Sequence, residues 1–128
     1  MNVFVRAGAV PTDRNLVSAY VDGGVGIKGL FDARPDDKLT FGVAHARISG
    51  QASALDVDTI IIGGAPYPIR NGETVFEVSY IAQLAPYWTL QPDIQYIVRP
   101  GGNAPHPLNS TIAIKDALVV GARTTINF

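Results

Sequence analysis

Hydrophobic and polar residues alternate along six stretches of this chain, each with the two-residue period of a β-strand. The first, Asn2 to Ala9, sets Val3, Val5, Ala7 and Ala9 against Asn2, Phe4, Arg6 and Gly8. The second, Leu16 to Lys28, sets Val17, Ala19, Val21, Val25 and Ile27 against Ser18, Tyr20, Asp22, Gly24 and Lys28. The third, Lys38 to Ile48, is regular at Leu39, Phe41 and Val43, but His45 and Arg47 then fall on the same parity. That break predicts a strand leaving an apolar band, or equally a bulge. The fourth, Glu73 to Leu84, places Phe76, Val78, Tyr80 and Ala82 opposite Glu77, Ser79 and Gln83. The fifth, Trp88 to Arg99, places Trp88, Leu90, Pro92, Ile94, Tyr96 and Val98 opposite Thr89, Gln91, Asp93, Gln95 and Arg99. The sixth, Ala117 to Phe128, opposes Leu118, Val120, Ala122, Thr124 and Ile126 to Val119, Gly121, Arg123, Thr125 and Asn127. Pro92 has no N–H to give to a ladder, and it predicts a bulge in the fifth strand.

These stretches run from 8 to 13 residues, close to the ~9–11 that carry a tilted strand across a bilayer. Their connections also sort by length. Short ones at 29–37 and 85–87 alternate with long ones at 49–72 and 100–116, although the connection at 10–16 is shorter than the other two on its side. Short turns at one end and long loops at the other are the pattern of an outer-membrane barrel, with periplasmic turns and extracellular loops. The segment 49–72 reads as a loop whose Ile60-Ile61-Ile62 patch packs on a neighbour or folds into a pore. Tyr87, Trp88 and the terminal Phe128 gather at the short-turn end, and Tyr96 lies toward the other. They suggest aromatic girdles at two membrane interfaces. The alternative is a soluble or surface-exposed all-β binding module, in which the same apolar residues form a packed core.

Composition narrows the choice. Charged residues make up 16% of the 128-residue chain, against about 25% in soluble domains. Thirteen Gly and nine Pro favour turns and strands over helices. A net charge of -1 without a basic patch excludes a nucleic-acid partner. No Cys is present, which removes disulfides and thiolate metal sites. No apolar run approaches the ~18 residues of a membrane helix, and Met1 to Arg6 lacks the pattern of a signal peptide. His45 and His106 stand far apart, so no metal site is expected. Asp36-Asp37 and Asp56-Val57-Asp58 read as solvated acidic turns rather than calcium loops. Gly23-Gly24-Val25-Gly26 is followed by neither Lys-Ser/Thr nor a helix, so it is no phosphate loop. No catalytic constellation is present, and the expectation is a non-enzyme without a cofactor.

Four segments carry a family resemblance: Glu73 to Tyr80; Gln83-Leu84-Ala85-Pro86-Tyr87-Trp88-Thr89-Leu90-Gln91-Pro92-Asp93-Ile94-Gln95-Tyr96; Arg99-Pro100-Gly101-Gly102; and Gly121-Ala122-Arg123. They resemble the C-terminal part of the carbohydrate-selective porins of the OprB family. Phe4 to Gly8 and Asp22 to Val25 resemble the preceding strands of the same family. The resemblance implies an all-β, antiparallel transmembrane barrel of about sixteen strands in the Gram-negative outer membrane. It implies facilitated diffusion of monosaccharides such as glucose, outer-membrane lipids around the wall, and recognition of Phe128 by the barrel-assembly machinery. It leaves monomer and trimer open. Six strands fall below the minimum of about eight for a closed membrane barrel. The expectation is therefore the last six strands of a longer porin, whether as fragment, truncation or mis-assigned start.

With Phe128 toward lipid, parity selects a lumen-facing set. On the last two strands it contains Gln91, Asp93, Gln95, Arg99 and Arg123. Glu77 and Gln83 join from the fourth strand, and Arg6, Tyr20, Asp22 and Lys28 from the first two. Amides, carboxylates and guanidiniums exchange hydrogen bonds with sugar hydroxyls, and an aromatic face such as Tyr20 offers a stacking surface. The same charged residues also pair across strands simply to stiffen a wall. Tyr80, Trp88, Tyr96 and Phe128 fall on the lipid side.

Overall fold

A computed structural model describes residues 1–128. Six strands form one antiparallel sheet: β1 (Asn2–Ala9), β2 (Val17–Lys28), β3 (Lys38–Ile48), β4 (Gly72–Ala85), β5 (Trp88–Val98) and β8 (Ala117–Ile126). Each is paired with its sequence neighbours, in the order β1-β2-β3-β4-β5-β8. A two-stranded hairpin, β6 (Pro105–His106) and β7 (Asn109–Ala113), sits in the last long connection. The edges of the sheet are β1 and β8, and it does not close on itself.

Opposite residues on adjacent antiparallel strands point to the same face. One row runs across the whole sheet as Val3, Val25, Phe41, Val78, Ile94 and Val120. The next runs Val5, Gly23, Val43, Phe76, Tyr96 and Leu118. These apolar rows have nothing packed on them: Val120 is 71% exposed and Val5 74%. Only Ile48 and Ala82 are buried among the hydrophobic residues. A soluble sheet of this size hides one face in a core. Here the polar groups on the other face are the better buried, with Asp22 and Ser79 among the few buried residues.

Register is steady across the sheet, with two shifts, between Val17 and Ala19 and between Gln83 and Ala85. Both lie at strand ends. The bulge expected at Pro92 is not formed. Pro92 pairs with Ala122 in an unbroken β5–β8 register. On its other side, the β4–β5 register is the same at Ser79–Asp93 and at Ala82–Leu90. The missing N–H is absorbed without an extra residue in either strand. The pattern break at His45 and Arg47 has a similar resolution. The β3–β4 pairing passes through both without a shift, so these residues share the apolar face near its loop end. His45 Nδ1 is 2.9 Å from Thr74 Oγ1 there.

The segment 49–72 is not an unstructured loop. Residues Gly50–Gly63 form helix α1. Ser49 caps its start, its hydroxyl accepting from the Ala52 N–H at 3.3 Å. Gly64 closes it in the left-handed conformation, donating to the Ile60 carbonyl. The sequence carries both caps, Ser49 and Gly64, on either side of a run that includes Ile60-Ile61-Ile62. Ile61 and Ile62 lie exposed and pack on nothing in the chain.

If the uncovered rows meet hydrocarbon, a charge placed on them is expensive. In a closed barrel containing this sheet, Val120→Arg is expected to lower bilayer-embedded stability by about 2–4 kcal/mol. Denaturant titration in lipid vesicles reads the loss. A change within about 0.5 kcal/mol, usual for a solvated surface, would place the face in water.

Candidate functional site: the polar face of the sheet

The sequence-selected polar residues do fall on one face. From β1 and β2 come Arg6, Tyr20, Asp22 and Lys28, and from β4 come Glu77 and Gln83. From β5 and β8 come Gln91, Asp93, Gln95 and Arg123. Arg99 is the exception. The fifth strand ends at Val98, and Arg99 turns away with φ 54, outside the alternation that selected it. Its amide donates to Asp116 Oδ1 at 2.9 Å.

Most of these groups are engaged with one another. Arg6 and Asp22 are directly opposite. The guanidinium donates from Nη2 to Asp22 Oδ2 at 2.7 Å, and from Nε to both oxygens at 3.1 Å. The Asp22 carboxylate is almost fully covered, whereas Arg6 remains open. Glu77 faces Gln95 and accepts from its Nε2 at 3.0 Å; the same nitrogen reaches Asp93 Oδ2 at 3.3 Å. Gln91 Nε2 donates to Ser79 Oγ at 2.7 Å. Gly121 stands opposite Asp93, and a Cβ there would lie 2.7 Å from Asp93 Oδ1. The glycine therefore makes room for the carboxylate. Lys28 pairs with Asp36 at 3.0 Å in the open. Gln83 turns back to the Ala85 and Trp88 carbonyls and serves the turn. Tyr20 and Arg123 make no side-chain hydrogen bond within the chain. The face carries one cross-strand ion pair, several amide hydrogen bonds to hydroxyl and carboxylate groups, and a few open donors and acceptors.

On the opposite face, Trp88 Nε1 donates to Thr124 Oγ1 at 2.7 Å, which leaves the indole ring free at the surface with its one donor satisfied. The Tyr96 hydroxyl donates to Asp116 at 3.1 Å near the loop end. Tyr80 meets Phe31 edge-on, 6.5 Å between centroids, near the short-turn end.

Three anchoring groups have no signal in the alternation. Asp37 was expected to be solvated but is 3% exposed. It accepts from Arg34 Nε at 2.7 Å, from the Gln83 amide at 2.9 Å and from the Tyr80 hydroxyl. The Arg34 guanidinium, then the Tyr80 hydroxyl, hold its carboxyl down at about 2. Asp56 is 1% exposed. It receives Arg70 Nη2 at 2.7 Å and the Arg70 amide at 2.9 Å. Burial pushes this carboxyl up, but the Arg70 guanidinium and amide outweigh it and hold it below the usual range. This pair, with Ser53 donating to the Arg70 carbonyl, ties α1 to the strand entrance. At the same end, Gly102 has φ 72, and a Cβ there would lie 2.5 Å from Ile48 Cγ1. Its carbonyl accepts from the Asn71 amide at 2.8 Å, joining the two long connections. A buried acid or a close-packed glycine has no local signature, because its partner lies elsewhere in the chain.

An open antiparallel sheet with one bare apolar face and one paired polar face is the geometry of a piece of barrel wall. The comparisons with known proteins agree. The profile of the carbohydrate-selective porins, OprB family, matches residues 1–128. This chain belongs to the OprB family. Family membership makes it a stretch of transmembrane β-barrel from the Gram-negative outer membrane. Among curated relatives, the Putative porin QuiX of Acinetobacter baylyi is 28% identical over 137 aligned positions, covering 98% of this chain and 29% of that protein. Porin B of Pseudomonas aeruginosa is 30% identical over 95 positions, covering 69% of this chain and 21% of that protein. The solved structure of Pseudomonas putida OprB at high pH superposes with a TM-score of 0.85 at 27% identity. It covers 98% of this chain and 30% of the other. The chain thus spans less than a third of the length of these porins, which are channels rather than enzymes.

Asp37 supplies a pH test. Its carboxyl is lowered on folding, so its contribution is present above the ordinary Asp range, near 3.9, and is lost as pH falls through about 2. In the membrane-embedded protein the 29–37 turn is expected to stay latched at pH 3 and to loosen toward pH 2. Hydrogen exchange at the Gln83 amide follows the change. Asp37→Asn should raise that exchange at neutral pH and remove the acid transition; an unaltered acid transition in the variant would assign it to another group.

Proposed function

We propose that this chain forms part of the wall of a channel for monosaccharides such as glucose, its polar face lining the lumen and its bare rows meeting outer-membrane lipid. The observation that carries this reading is the division of the sheet. Uncovered hydrophobic residues form one face, and cross-linked charged and amide groups form the other. In this reading, a sugar entering the channel exchanges part of its hydration shell for wall groups. Arg6, Arg123 and Lys28 donate; Glu77 and Asp93 accept; Gln91 and Gln95 do both. Tyr20 offers a ring face. Because Asp22 is held by Arg6, and Gln95 by Glu77, most wall groups are partly satisfied before a sugar arrives. Binding stays weak, as passage requires. Arg99 and Gln83 sit at the strand ends and act on the connections instead.

The short turns at 29–37 and 86–87 lie on the periplasmic side in this orientation, and the longer connections at 49–72 and 100–116 lie outside. Phe128, the terminal residue after β8, is the signal read by the barrel-assembly machinery. Trp88, Tyr80 and Tyr96 lie at the lipid interfaces.

A chimera tests the reading. Residues 1–128 replace the matching segment of Pseudomonas putida OprB, and the purified barrel is reconstituted in liposomes. Glucose is expected to enter these liposomes and swell them, at a rate well above that of protein-free vesicles. A folded, ion-conducting chimera that admits no sugar would overturn the assignment.

A further inference from the structure

We propose that the polar face contains a docking subsite for one neutral sugar ring, with the Phe4 side chain as its platform. It rests on the reading of this face as the channel wall. A cavity of about 420 Å³ opens on the face, lined among others by Phe4, Arg6, Asp22, Lys38, Thr40 and Glu77. Its volume lies near the low end of the ~300–1,000 Å³ of small-molecule sites, room for one small solute.

The row that crosses its floor reads Phe4, Gly24, Gly42, Glu77. An aromatic ring stands at one end and a carboxylate at the other, with no side chain between them. The ring leans inward over the first glycine. A Cβ at Gly24 would lie 2.9 Å from Phe4 Cε1, so this position of the ring needs Gly24. Arg6 Cζ lies over the ring, 5.4 Å from its centroid. The second glycine leaves open space: a Cβ at Gly42 would meet only the Gly23 carbonyl oxygen, at 3.8 Å. The floor is therefore empty for lack of side chains, without the backbone requiring it at Gly42.

The surrounding chemistry fits a sugar. A pyranose presents an apolar C–H face and a rim of hydroxyls. The Phe4 ring receives the C–H face. Arg6 Nη1 and Lys38 Nζ make no hydrogen bond within the chain and are free to donate. Glu77 uses only Oε2, toward Gln95, and keeps Oε1 to accept. Two cations, Arg6 and Lys38, balance two anions, Asp22 and Glu77. A balanced site favours a neutral polyol over an anion of the same shape. Phe4 lies on the polar parity of its strand, with Arg6 two residues on.

The experiment uses the chimeric barrel in planar bilayers, with sugar-induced interruption of the ion current as readout. Phe4→Ala is expected to weaken glucose block about fivefold, the scale of one lost aromatic contact, while Phe4→Tyr retains it. Gly42→Val, which fills the floor without touching the ring, should weaken block by a similar factor. Glucuronate, the anion that keeps the pyranose ring, should block less than glucose. Glucose block unchanged in both Phe4→Ala and Gly42→Val, in a barrel that still admits glucose, would overturn the subsite alone. Glucuronate blocking as well as glucose would overturn its assignment to a neutral solute. A chimera that conducts ions but admits no sugar would instead remove the channel reading, and the subsite with it.

Discussion

A backbone amide in hydrocarbon has no partner except another backbone, and this constraint orders the whole sheet. Of 77 backbone–backbone hydrogen bonds, 63 lie within the regular elements, and each interior strand is paired along both edges. That pairing permits the bare apolar rows. Once the ladder satisfies the N–H and C=O groups, the outward face can be wholly hydrophobic without a core behind it. It also explains the fate of Pro92, which stays in register because an added residue on β5 would turn every later side chain to the wrong face. The open edges at β1 and β8 carry the same demand outward: in a membrane they need further strands.

The polar face solves a second electrostatic problem. Charges on a wall beside a low-dielectric slab are costly if unpaired. Register places Arg6 opposite Asp22 as an ion pair and Gln95 opposite Glu77 as a hydrogen-bond donor, whereas Lys28 stands opposite Lys38 and pairs with Asp36 in the turn instead. Asp37 and Asp56 carry the same logic to the two ends. Each is a covered carboxylate held by an arginine and a backbone amide. One pins the short turn to β4, and the other pins α1 to the start of the same strand.

Much of this architecture is legible in the residue pattern. The strand bounds at Asn2–Ala9 and Lys38–Ile48 coincide with the alternating stretches, and the other four shift by one or two residues. The face of Gln91, Asp93, Gln95 and Arg123 follows from parity alone. Helix α1 does not, although Ser49 and Gly64 both signal it, because a triple isoleucine is as good a strand as a helix. Parity misplaces Arg99 because alternation holds only while the chain stays extended, and its left-handed backbone ends that condition.

By itself, the sequence determined the six strands, their two faces and the solvent each face suits. These follow from the local rule that successive Cβ atoms point to opposite sides. The fold alone decided which groups meet: that Arg6 pairs with Asp22, that Asp37 is covered, and that two glycines on neighbouring strands stand in line between Phe4 and Glu77. Those outcomes depend on register between strands, and register is set by residues far apart in the chain. No window along the sequence contains both partners.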